Sequence, residues 1–174
     1  MSVEESRAAD NASASTDARW QAAGECLGPQ GLLSVIMPAY RLEKVIGANL
    51  EQVRTLLDGH IPFEIVVVDD GSGDGTADAI EAMRVRYPAT IRPVILKENG
   101  GKGAALREGF HASRGTHVLL LDGDLDLAPD MVVRFFEIML RDDADIVIGS
   151  KRHPESEIDY PLRRRIASRV YFGI

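Results

Sequence analysis

The chain has a single cysteine, Cys26, in 174 residues. An internal disulfide is therefore excluded, and the usage is compatible with a reducing compartment. No stretch approaches the roughly 18–20 apolar residues that a membrane-spanning helix needs. The N-terminus, MSVEESRAADNASASTDAR, lacks the basic start and apolar middle of a secretory signal. There is no excess of positive charge: 20 Lys and Arg stand against 27 Asp and Glu, a net −7. That balance argues against general nucleic-acid binding. The four histidines, His60, His111, His117 and His153, have no metal-ligand spacing and read as structural or surface residues. No internal repeat is found.

What remains is an ordinary globular composition, 45% hydrophobic and 27% charged, long enough for one domain with a real core. Residues 1–30, rich in Ala, Ser and acids, read mainly as a disordered tail, with room for a short helix around Trp20. The domain is expected over residues 31–174. The pattern stops at Ile174 without a helix stop signal and reads as truncated at the C-terminal end, where acceptor or membrane-interface elements would follow.

From Leu32 onward, buried-strand runs alternate with amphipathic helical stretches. LLSVIM, FEIVVV, IRPVIL, THVLLL and ADIVIG read as five strands. EKVIGANLEQVRTLL, TADAIEAMRVRY, GKGAALREGFHAS and APDMVVRFFEIMLR read as the helices between them. Continuous apolar strands with intervening helices imply a mostly parallel sheet covered on both faces, an α/β fold. Pro93 places the third strand at an edge or irregular position.

The unusual residues all fall at the C-terminal ends of strands. Pro38, Ala39 and Tyr40 follow the first, and Asp69 and Asp70 the second. Glu98, Asn99, Gly100 and Lys102 follow the third, and Asp122, Asp124 and Asp126 the fourth. In open α/β sheets the ligand crevice lies outside those ends. Any one aspartate could be a cap or turn residue. Three of them spaced one residue apart behind an apolar strand repel one another unless a cation sits among them. The calcium-loop pattern fails, because it needs Gly and Glu where Leu127 and Val133 stand. Asp122 and Asp124 should leave the strand on the same side and could share a hard cation, Mg2+ or Mn2+. Its role would be to stabilise charge on a departing diphosphate.

VVVDDGSGDGT carries Asp69 and Asp70 out of a buried strand into a glycine-rich turn, with Asp74 in the turn and Thr76 as expected N-cap. It is neither a P-loop nor a G-x-G-x-x-G loop. Its acids suit hydroxyl and amide donors on a base or ribose. ENGGKGAALREGF opens a helix with glycines around Lys102. It serves equally as an anion site or as close helix–sheet packing at Gly103 and Ala104.

SVIMPAY, EIVVVDDGSGDGT, NGGKGAALREGF, LLLDGDLDLAPD and IVIGSKR occur in the order found in family 2 glycosyltransferases of GT-A fold. The chain resembles that family from about Leu33 onward, in particular the dolichyl-phosphate mannose synthase and polyprenyl-phosphate glycosyltransferase branch. The resemblance implies that Pro38, Ala39, Tyr40 and Asp70 surround the nucleoside. It implies that Asp122-Gly123-Asp124 is the D-x-D motif holding metal and diphosphate, with Asp126 near the metal. Where relatives usually read P-x-Y-N-E, this chain has Arg41 and Leu42, and the acid that would contact the nucleoside base is displaced to Glu43.

The activity implied is an inverting transfer of a hexose from a UDP- or GDP-sugar to a polyprenyl phosphate, at the inner face of the membrane. A phosphate acceptor with a second pKa of about 6 needs no strong general base. Lys151, Arg152, Arg163, Arg164 and Arg165 would hold that acceptor phosphate. Two other readings share features: a haloacid-dehalogenase-type phosphatase and a sugar-1-phosphate nucleotidyltransferase. Neither has its further motif here. A third is a nucleotide- and metal-binding fragment without transferase activity.

Overall fold

The computed structural model describes residues 19–125 and 130–149. Asp126, Lys151, Arg152, Arg163, Arg164 and Arg165 lie outside the described residues. The elements run α1 (19–27), β1 (Leu33–Ala39), α2 (Ile46–Leu57), β2 (Phe63–Asp69), α3 (Thr76–Arg86), β3 (Ile91–Ile95), α4 (Lys102–Ala112), β4 (His117–Leu120) and α5 (Met131–Asp142). The sheet is parallel throughout, in the order β3-β2-β1-β4.

β2 is buried at every position because neighbours flank both its edges and helices cover both its faces. It runs in register with β1 from Leu33 opposite Phe63 to Ala39 opposite Asp69. β3, carrying Pro93, is an edge strand as expected, where the missing N–H costs no ladder bond on the open side.

Side-chain alternation splits the core. Val35, Met37, Ile65 and Val67 face a large cluster that includes Leu50 and Val53 of α2, Ile80 of α3, and Val132 and Phe136 of α5. Ile36, Val66 and Val68 face the other way, against Ala105 of α4. Among the described residues this second face is covered by α4 alone, so Val118 and Leu120 of β4 are exposed.

The short helix given room around Trp20 is α1, and its Trp20, Ala23 and Leu27 are buried in the larger cluster, so the core begins before residue 31. Their spacing of three and four places them on one helical face. The expected fifth strand, 144–149, pairs with nothing among the described residues, and Ile146 and Ile148 are 77% and 81% exposed. α5 stops just before it at Asp143, whose left-handed backbone (φ 48) closes the helix with an Ala144 N–H to Met139 carbonyl bond of 3.0 Å. Close packing of α4 on the sheet is carried by Ala105 and Gly109, not by Gly103, around which there is open space.

At Gly109 a Cβ would lie 2.4 Å from Ile36 Cγ2 and 3.1 Å from Val68 Cγ2. Gly109→Ala is therefore expected to destabilise the domain by about 1–3 kcal/mol through overpacking. Urea unfolding should show a lower midpoint at an unchanged m-value.

Beneath the sheet's N-terminal end, Glu64 ties four segments together. Its carboxylate accepts from Ser34 Oγ (2.7 Å), from Arg92 (2.8 Å) and from the Arg114 backbone N–H (2.7 Å). Ser34 Oγ in turn accepts from the Gly115 N–H at 2.8 Å.

Candidate functional site

The chain steps from β1 to β2 to β3 in one direction, then crosses back to place β4 on the other side of β1. The crevice beyond the C-terminal ends of β1 and β4 is therefore the topological switch point, where open α/β sheets bind ligands. The ladder continues past β4, with Leu121 N–H on the Ile36 carbonyl (3.0 Å) and Gly123 N–H on the Pro38 carbonyl (3.2 Å). Residues 122–125 then form a turn closed by Leu125 N–H to the Asp122 carbonyl at 3.0 Å.

Asp122 and Asp124 thus flank Gly123 in a turn. Asp122 lies between the two ladder bonds made by Leu121 and Gly123, and Asp124 follows in the turn. Gly123 is required by close approach, since a Cβ there would sit 2.6 Å from the Pro38 carbonyl oxygen. Leu125 takes a left-handed backbone (φ 53) and is held there by packing against the larger core cluster. Asn49 of α2 donates from Nδ2 to the Gly123 carbonyl at 2.8 Å. Lys102, the first residue of α4, places Nζ 2.5 Å from Asp122 Oδ1.

The opposite wall is the loop after β2. Gly71 and Gly73 have the positive φ expected of its turn. Asp69 and Asp70 are both buried. Asp69 accepts the Ser72 hydroxyl, and Ser72 Oγ accepts the Arg41 N–H at 3.0 Å. Asp70 Oδ1 accepts the Gly100 N–H at 2.8 Å, and its carbonyl accepts Asn99 Nδ2 at 3.2 Å. These two acids therefore brace the loop after β1 and the loop carrying Lys102. Arg41, in a left-handed conformation (φ 56), lays its guanidinium over the exposed Tyr40 ring at 5.2 Å.

Glu43 is turned to the α3 N-terminus, where Oε2 accepts the Gly75 N–H at 3.1 Å. Thr76 is the first helical residue rather than the cap. Asp74 accepts its backbone N–H at 2.9 Å and its hydroxyl at 2.5 Å. The Thr76 hydroxyl, together with that N–H, holds the Asp74 carboxyl below the usual carboxylate range.

The structure brings Pro38, Ala39, Tyr40, Asp70, Lys102, Asp122, Gly123 and Asp124 to one end of the sheet. Among the described residues, no group of three or more His, Cys, Asp and Glu side chains could hold a metal unaided. Two carboxylates nevertheless suit Mg2+ or Mn2+, which is commonly held by one or two of them plus substrate phosphates and water. Asn49 and Ser72 were not expected from the sequence. The only signal for Asn49 is an amide residue beside the buried stripe of α2.

An open groove lined by Trp20, Gln21, Glu25 and His60 lies at the other end of the strands, and Trp20 stacks on His60 at 4.6 Å. No described helix is long and apolar enough to cross a membrane.

Residues 34–172 match the family described as Glycosyl transferase family 2. An undecaprenyl-phosphate 4-deoxy-4-formamido-L-arabinose transferase of Pseudomonas aeruginosa is 38% identical over 63% of this chain and 32% of its own length. The human dolichyl-phosphate beta-glucosyltransferase is 33% identical over 83% of this chain and 46% of its own. The chain thus spans about a third to just under half the length of these relatives. A solved mannosyltransferase from Pyrobaculum calidifontis, in complex with GDP-Man and Mn2+, superposes with a TM-score of 0.53 at 24% identity, over 70% of this chain and 38% of that one. The fold is the GT-A fold that the motif order implied. The chain belongs to glycosyl transferase family 2.

Proposed function

We propose that the chain is the donor-binding part of a glycosyltransferase moving a hexose from a UDP- or GDP-linked donor to a polyprenyl phosphate. The observation that carries this reading is the D-x-D turn at the switch point, hydrogen-bonded to the end of β1. Both relatives named above act on polyprenyl phosphates by name. Tyr40 and the Asp70-braced loop would form the nucleoside wall, and Asp122 and Asp124 would hold Mg2+ or Mn2+. When bound, the metal supplies charge neutralisation for the departing diphosphate.

The chain's own contribution is positional. Pro38 and Asn49 fix the turn that carries the two carboxylates, and Asp70 fixes the loop that carries Lys102. In the transfer, an acceptor phosphate oxygen bonds to the anomeric carbon as its bond to the donor diphosphate breaks, in one inverting displacement. The nucleoside diphosphate leaves with the electron pair. Lys151, Arg152, Arg163, Arg164 and Arg165 would meet the acceptor phosphate at a membrane surface on the cytoplasmic side.

A second reading rests on the same site: donor and metal binding without turnover. Calorimetric titration of UDP and GDP, with and without Mn2+, is expected to show metal-dependent binding of one of them. Assay with the matching sugar nucleotide and a polyprenyl phosphate then separates the readings. Product formation supports the transferase, and binding alone supports the fragment. Binding of neither nucleotide would overturn both.

A further inference from the structure

We propose that Lys102 is an exchangeable counter-ion of the D-x-D carboxylates. It lies on Asp122 while the donor is absent and moves to the diphosphate when the donor and metal enter. The inference rests on the proposed metal seat at Asp122 and Asp124.

Three observations carry it. Lys102 Nζ lies 2.5 Å from Asp122 Oδ1, and the two side chains are 62% and 43% exposed. An ion pair so open to water is weak and exchanges readily. The backbone beneath the ammonium, by contrast, is held. Asp70 fixes Gly100 at 2.8 Å, and the Ala105 N–H bonds the Gly101 carbonyl at 3.1 Å to start α4. A compact charge on a flexible four-carbon stem can therefore swing from an anchored base.

The third observation concerns geometry at the oxygen. Mg2+ or Mn2+ on a carboxylate would sit at roughly 2.0–2.2 Å from it. An ammonium already at hydrogen-bond distance from the same oxygen would place two cations within a few ångströms of each other. Occupancy of Asp122 by Lys102 and by the metal is therefore mutually unfavourable. A nucleoside diphosphate resolves the conflict. It brings anionic oxygens to the N-terminal end of α4, where both the ammonium and the helix dipole favour them. Metal and nucleotide should therefore bind with positive, reciprocal coupling, and metal alone should bind poorly.

The test is Mn2+ binding without nucleotide, read as loss of the free-Mn2+ paramagnetic resonance signal, for wild type, Lys102→Gln and Lys102→Arg. The proposal expects Lys102→Gln to bind Mn2+ alone about tenfold more tightly than wild type, and its coupling to UDP or GDP to shrink by a similar factor. Lys102→Arg should keep the weak wild-type affinity. Unchanged or weaker Mn2+ binding by Lys102→Gln, with nucleotide still drawing metal into both proteins, would overturn the proposal and leave the metal seat intact. Equal tightening in Lys102→Arg would also overturn it. No Mn2+ binding by any of the three proteins, with or without nucleotide, would remove the proposal together with the function on which it stands.

Discussion

Asp124→Asn is expected to abolish metal-dependent nucleotide binding and to lower any transfer rate by at least about a hundredfold, roughly 3 kcal/mol of lost charge stabilisation. The substitution keeps the shape of the side chain and removes its charge. The turn itself should survive, because its closing bond runs between the backbones of Leu125 and Asp122 and its anchors are Pro38 and Asn49. Asp124 is exposed, so thermal unfolding should barely move. What remains is Asp122 beside Lys102, a pair of no net charge with little hold on a divalent ion. Titration of UDP and GDP with and without Mn2+ reads the effect. Metal-independent binding through the nucleoside wall should be unchanged. An Asp124→Asn protein that keeps full metal dependence would show that the turn is not the metal seat.

Glu64→Ala is expected to cost about 2–3 kcal/mol of stability, because it removes the carboxylate from Arg92, which is 28% exposed and, among the described residues, keeps only the Ala112 carbonyl at 2.9 Å. It also removes the acceptor of the buried Ser34 hydroxyl and of the Arg114 backbone N–H. Burial pushes the Glu64 carboxyl up, but Arg92, the Ser34 hydroxyl and the Arg114 N–H together outweigh it and bring the group below its ordinary value. The sign of the pH dependence follows. A carboxyl lowered on folding contributes stability above its unfolded value, about 4.3, and loses that contribution as pH falls through the lower folded value. Urea midpoints of wild type and Glu64→Ala should therefore lie far apart at neutral pH and converge below about pH 4. A gap that stays constant down to pH 2 would mean that ionised Glu64 is not what the network depends on.

The central strands were legible because they are buried on both faces and so carry unbroken apolar runs, as Phe63 to Val68 does. The same signal misleads at 144–149. An apolar run specifies burial but names no partner. α1 was legible only as room for a short helix around Trp20; the Ala-, Ser- and acid-rich residues before it hid that Trp20, Ala23 and Leu27 join the core.

At the site, the acids were readable as residue types and their partners were not. Lys102 reaches Asp122, and Asn49 reaches Gly123, only because the chain crosses back to lay β4 against β1. Glu43, a nucleoside candidate by resemblance, has its carboxylate on the α3 N-terminus instead. Leu42 N–H bonding to Thr76 Oγ1 at 2.9 Å draws that stretch toward α3.

The strand order also bears on when the crevice can exist during folding. β1, β2 and β3 follow one another as neighbours, whereas β4 must close onto β1 across a separation such as the 84 residues between Leu32 and Thr116. Pairings that distant form slowly and late. An intermediate with β1, β2 and β3 in place would have the proposed nucleoside wall and no D-x-D turn. Once β4 docks, it is held by a parallel register of four residue pairs and by the two ladder bonds that Leu121 and Gly123 add beyond them. Donor and metal bound there would add their binding free energy to that attachment by mass action. The ligand would thus act as a clasp on the strand that completes its own site.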